Sequence, residues 1–166
     1  TLLLSALCVA WFYAYSGLLV LPFLTKDDNR QRRLAWVLTL LSAIVGSAAG
    51  TIQLLRVAQH GWQPEVVTGS PREWRFVTHF FMVYFVWDWV LSFKYYPAFF
   101  DGLTGYAHHI FYFLVCMAFL GFENTAPFIT GLIMEYSSIF LSIGSCHPHL
   151  RSDMAFGATF FFVRIV

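Results

Sequence analysis

The chain is predicted to be an all-α membrane protein, a bundle of about six transmembrane helices around a lipid-facing cavity, with the last helix truncated. Three observations carry this. Of 166 residues, 58% are hydrophobic and only 11% charged, whereas about a quarter of a soluble domain is charged. A soluble fold this short has too little interior to hide so much apolar surface. The apolar residues also come in continuous runs, most near the roughly 20 residues a helix needs to cross a bilayer. Those runs do not alternate and are about twice the length of a barrel strand, which favours helices over a β-barrel.

The first span is Leu2 to Leu24, ended by Pro22 and the polar stretch Thr25 to Arg33. The second, Leu34 to about Leu55, carries no charge. Arg56 to Glu73 reads as a polar loop, with Gly61, Pro64, Gly69 and Pro71 as turn residues. Trp74 to Phe93 is the third span, Tyr95 to Gly105 a loop, and Tyr106 to Phe122 the fourth span. Glu123 and Asn124 make a tight turn before the fifth span, Thr125 to Ile143. Gly144 to Asp153 is a loop, and Met154 to Val166 begins a sixth span. Residues 1–33 are thus a first helix with a basic cytoplasmic loop, and 34–166 the main transmembrane domain. The chain opens on Thr1 rather than Met and stops inside an apolar run, so it reads as a piece of a longer protein. The first run is too long, and lacks the basic flank, for a signal peptide.

Net charge is +1 and no basic block is large enough for nucleic acid, so no nucleic-acid partner is expected. The loops after spans one, three and five hold Lys26, Arg30, Arg32, Arg33, Lys94 and Arg151, against Arg56, Arg72 and Arg75 on the other side. The more basic side should be cytoplasmic. Cys8, Cys116 and Cys146 give neither a disulfide framework nor zinc spacing. On span two, Ser42, Gly46 and Gly50 form a small-residue stripe at four-residue intervals. Such a stripe packs a neighbouring helix closely or makes a homodimer seam.

The informative residues are ionisable groups at membrane depth, where a charge costs about 2.5–3.5 kcal/mol on insertion scales. They are Asp88 in span three, His108 and His109 at the start of span four, and Glu135 in span five. Tyr84 lies one turn before Asp88, Tyr112 one turn after His108, and Ser138 and Ser142 share a face with Glu135. Adjacent histidines point about 100° apart on a helix, so one can enter the bundle while the other meets a neighbour. His79 reads as an interhelical hydrogen-bond partner. Asp88 and Glu135 can lock the bundle by pairing with histidines, or they can serve function, as intramembrane charges do by default hypothesis. His, His, Asp and Glu are also valid metal ligands. The paired histidines, however, lack the i, i+4 spacing that lets one helix grip a metal, and no metal or resident cofactor is expected. The Cys146-His147-Pro148-His149 cluster reads as a solvated membrane-edge loop. The phenylalanines Phe80, Phe81, Phe85, Phe111, Phe113 and Phe160 to Phe162 either face lipid or line a lipid pocket.

Together these residues resemble a known family. The segment Tyr84-Phe85-Val86-Trp87-Asp88 is similar to the aromatic-x-x-x-Asp element of the TLC domain, the homology domain of TRAM, LAG1 and CLN8 proteins. Gly105-Tyr106-Ala107-His108-His109-Ile110 resembles its paired-histidine element. Pro127 to Leu141, with Glu135, Ser137 and Ser138, resembles its next helix. The resemblance covers Leu34 to Val166. It implies a helical membrane domain with a cavity open to lipid, in a family that includes ceramide synthases, translocation-associated proteins and proteins of lipid homeostasis. In the ceramide synthases the paired histidines and the aspartates are tied to N-acyl transfer from acyl-CoA. Here the run after His109 contains no Asp, and Ser42 is followed by Ala43, Ile44 and Val45 with no His.

Two functions follow as expectations. In the first, a lipid acyltransferase, His108 or His109 acts as base or nucleophile, Asp88 orients the imidazole, and acyl-CoA is the co-substrate. Glu135, Tyr84, Tyr112 and Ser138 then contact the substrate. In the second, the protein binds or senses lipid, or serves as a cargo or assembly factor, and the same cluster grips a headgroup. Membrane lipids are the expected partners in both. The expected location is the endoplasmic reticulum membrane, with the plasma membrane as the alternative.

Overall fold

The computed structural model describes residues 2–20 and 28–165. The end of the first span at Pro22 and Lys26 of the basic loop lie outside the described residues. Among those described there is no strand. In chain order the α-helices are α1 (Leu2–Val20), α2 (Asp28–Ala35), α3 (Val37–His60), α4 (Pro64–Val67), α5 (Arg72–Tyr95), α6 (His108–Gly121), α7 (Ala126–Gly131), α8 (Glu135–Cys146) and α9 (Asp153–Arg164). A π-helical turn, Gly102–Ala107, leads into α6, and a 3-10 turn, Leu132–Met134, joins α7 to α8. The architecture is the all-α membrane type. Arg30–His60, Pro64–Tyr95 and Ala126–Cys146 are long and apolar enough to cross a bilayer, whereas Leu2–Gly17 and Gly105–Gly121 are apolar but shorter.

In lipid, apolar faces gain nothing by leaving water, so helices associate through close packing and interhelical hydrogen bonds. Helix α3 is the axis, touching α1, α5, α7 and α8. Its small residues are the reason. A Cβ placed on Gly50 would stand 2.6 Å from the backbone nitrogen of Ile133, and one on Gly46 would stand 3.0 Å from Phe81 and 3.1 Å from the Glu135 side chain. The Ser42, Gly46 and Gly50 stripe is therefore buried inside this chain, serving the packing reading. On α1, Leu4, Cys8 and Phe12 recur every four residues and make the buried face, while the Trp11 indole donates to the Val37 carbonyl at 3.0 Å.

Alternating runs imply alternating sides, and the connections agree. At one end the Ala126 amide donates to the Gly69 carbonyl at 2.9 Å, and the Ser70 and Thr125 hydroxyls meet at 3.0 Å. That joins the connections after the second and fourth runs. At the other end the Tyr15 hydroxyl meets His147 Nε2 at 2.8 Å, and the Cys146 thiol faces the Arg33 carbonyl.

Two boundaries differ from expectation. Helix α3 runs on to His60 instead of ending near Leu55. Arg56 reaches Glu73 at 2.8 Å and lies over the Trp74 ring, while buried Gln53 takes the Trp74 N–H at 2.9 Å and donates to the Val66 carbonyl. A charge that reaches a partner at the membrane edge does not end a helix. The fifth run is broken by the 3-10 turn where its backbone crosses Gly50, so Glu135 opens α8 rather than sitting mid-helix.

Gly50→Ala is expected to lower thermal stability in detergent by about 1–3 kcal/mol through overpacking. Gly17→Ala, whose Cβ meets nothing within 4 Å, should not. His147 offers a pH readout. Burial, then the charges of His149 and Arg33, holds its pKa below the ordinary 6.5, so the folded ring favours the neutral form. That contribution is present above about pH 6.5 and lost as pH falls, because the unfolded chain takes the proton first. Between about pH 7.5 and about pH 5.5 the melting temperature should therefore fall further in the natural chain than in His147→Phe.

Candidate functional site

Asp88 stands on the inner face of α5 and His109 on the first turn of α6, and both are buried. His109 Nε2 lies 2.9 Å from Asp88 Oδ2. The Tyr96 hydroxyl, from the turn after α5, donates to Asp88 Oδ1 at 2.6 Å. On its other side His109 Nδ1 is 2.8 Å from the Gly105 carbonyl. A carbonyl only accepts, so Nδ1 carries the hydrogen. Nε2 and Oδ2 repel each other lone pair to lone pair at this distance, so the pairing favours one further proton on one of the two. The approach is bent, leaving Nε2 without a partner in full hydrogen-bond geometry, so the contact is a close pairing that becomes an ion pair when the imidazole is protonated.

The sequence folds locally to make this pair. Gly105 sits in the π-helical turn, where a Cβ would strike the Phe100 ring at 2.7 Å. Without that Cβ, Phe100 closes over His109 at 5.1 Å between ring centroids, and Phe85 does so at 5.3 Å. The aromatic rings leave His109 buried in low-polarity surroundings, which strengthens the charge contact.

His108, one residue earlier, turns the other way. Its ring lies 4.6 Å from that of Tyr112, and both line a hollow of about 330 Å³. Tyr84 reaches the hollow from α5, Glu135 and Ser138 from α8, Thr39 and Ser42 from α3, and Arg164 from α9. The Tyr84 hydroxyl faces Thr39 and Ser42 across the hollow, and the Glu135 carboxyl faces Ser138. His108, Glu135, Tyr84, Tyr112 and Ser138 are thus brought together. Asp88 and His109 stand behind that wall. His109 instead borders a second, apolar cleft of about 220 Å³ between α5 and α6, and Phe85 lines both spaces.

Other expectations fared differently. His79 is exposed and bonds the Arg75 carbonyl of its own helix at 2.6 Å, not a neighbouring helix. A histidine can turn back on the carbonyl four residues earlier, and here that bond replaces one between helices. The Cys146 to His149 segment is less solvated than expected, since Cys146 is fully buried and His147 is tied to Tyr15. Among the described residues no group of three His, Cys, Asp or Glu is placed to hold a metal ion.

Two participants escaped the sequence reading. Tyr96 carried no signal, being one aromatic in a loop. Arg164 did carry one, since it is an arginine beside the run Phe160 to Val163 at membrane depth.

With the paired histidines, the buried aspartate and the hollow in place, the comparison with known families is decisive: the TLC domain model matches residues 4–166. The chain belongs to the TLC domain family. The match takes in α1 as well as the region from Leu34 onward. Comparisons with curated proteins and with solved structures return no match. This TLC domain is a helical membrane protein, with its ionisable residues gathered where α5, α6 and α8 meet.

Removing one partner of a buried ion pair leaves the other charge uncompensated, at about 3–5 kcal/mol. Asp88→Ala and His109→Ala should each destabilise the TLC domain by that order in thermal unfolding. Tyr96→Phe, which removes one hydrogen bond to a charged group, should cost about 1.5–3 kcal/mol. His108→Ala, at the wall of the hollow, should cost far less than His109→Ala.

Proposed function

We propose that this TLC domain binds a membrane lipid by its polar head in the hollow beside His108, and that it acts in membrane lipid homeostasis. The observation that supports this is the hollow itself: a space of about 330 Å³ within a bundle of apolar helices, bordered by His108, Glu135, Tyr84, Tyr112 and Ser138. Polar walls are costly within a bilayer unless something polar meets them. Lipid heads are the polar groups that a membrane supplies in abundance. The volume is at the low end of the roughly 300–1,000 Å³ typical of small-molecule sites. It suits a headgroup with its first carbons, while the tails stay in the bilayer. The endoplasmic reticulum, where membrane lipids are made, is the compartment this reading expects.

A second reading is favoured by the place of His108, which borders the hollow and makes no ion pair with a carboxylate among the described residues. An imidazole so placed can act as a base. In acyl transfer, an acceptor amine or hydroxyl would attack the thioester carbonyl of acyl-CoA. His108 would take the acceptor's proton, the C–S bond would break, and the proton would pass to the leaving thiolate. Asp88 and His109 would fix the helix turn from which His108 projects.

Native mass spectrometry of the purified protein tests the first reading. The natural chain is expected to retain lipid, and Ser138→Phe, which fills the hollow, to lose it by roughly tenfold at unchanged helicity. A natural chain that carries no lipid contradicts the proposal. Labelled acyl-CoA with a lipid amine tests the second: product that disappears in His108→Ala, while lipid is still retained, supports transfer.

A further inference from the structure

Glu135 and Arg164 face the same hollow from α8 and α9. They carry opposite charge, yet they are not an ion pair; the pairs among the described residues are Arg56–Glu73, His109–Asp88 and Arg151–Asp153. The Glu135 carboxyl faces Ser138 of its own helix, and the Arg164 guanidinium lies over the Phe160 ring at 5.3 Å. The hollow therefore has a negative wall and a positive wall with a gap between them.

The geometry points to a specific ligand class: the hollow takes a zwitterionic lipid head, with its ammonium against Glu135 and its phosphate against Arg164 and His108. This rests on the reading that the hollow binds lipid, and it names which lipid. At membrane depth an unmatched charge is costly, so a ligand is selected by how much of both walls it satisfies. A head bearing ammonium and phosphate meets both. An anionic head meets Arg164 but is repelled by Glu135, and an uncharged head, as in diacylglycerol, meets neither. The side chains fit this division. The guanidinium offers paired N–H donors that match phosphate oxygens. The Phe81 ring stands beside Glu135, both within about 3 Å of the space over Gly46, and an aromatic face next to a carboxylate attracts an ammonium.

The test uses nanodiscs containing equal parts of phosphatidylcholine, phosphatidylethanolamine, phosphatidylglycerol and diacylglycerol, with the lipid ejected with the protein identified by native mass spectrometry. The natural chain should carry the two zwitterionic lipids over the other two by roughly tenfold. Comparing those two with each other shows whether a methylated or a primary ammonium is preferred. Glu135→Gln should shift selection toward phosphatidylglycerol, because the repelling charge is gone. Arg164→Gln, at the exposed end of α9, should lose the preference for phosphate-bearing lipids over diacylglycerol without unfolding the bundle. Lipid retained with no headgroup preference, or selection unchanged in both variants, overturns this inference and leaves lipid binding standing. No lipid retained by the natural chain overturns both.

Discussion

The contact between Asp88 and His109 holds the first turn of α6 against the middle of α5, and the site depends on where that turn stands. With no water inside a bilayer, a carboxylate and an imidazole there must find partners within the protein. Asp88 finds two, the His109 ring and the Tyr96 hydroxyl, and His109 finds a second in the Gly105 carbonyl. Once His109 is fixed inward, the helical rotation of about 100° per residue turns His108 toward the hollow. One histidine is thus a brace and the other a wall of the cavity.

The cavity exists because two other approaches are close. Helix α3 lets the α7–α8 backbone ride on Gly50, and Gly46 admits the Glu135 stem beside Phe81. Those contacts set Glu135 at the start of α8, level with His108 and with Arg164 at the end of α9. Small residues at one helix crossing and a buried ion pair at another therefore define the two sides of one polar space.

Much of this was legible in the sequence because the bilayer makes polarity conspicuous. Asp88, His108, His109 and Glu135 stand out in apolar runs, and helical spacing ties Tyr84, Tyr112 and Ser138 to them. Spacing alone could not say which histidine faces inward, since that is decided by Tyr96 and Phe100 from a connection with no periodic pattern. Nor did it show the break before Glu135. Gly131 was the one punctuating residue there, and the cause lies on another helix, at Gly50. Arg56 reads as the start of a loop because it is the first charge after an uncharged run, whereas its partner Glu73 and the Trp74 ring let α3 continue. Arg164 obeys the same rule as Asp88, being a charge within the apolar run that begins at Met154.

Electron cryomicroscopy of the protein in lipid nanodiscs, with a bound antibody fragment to add mass, tests the central claim most directly. The account predicts density for a lipid head inside the hollow, in contact with His108, Glu135 and Arg164, with tails leaving between the helices. A hollow closed by its own side chains, with lipid density confined to the outer faces of the bundle, would contradict it.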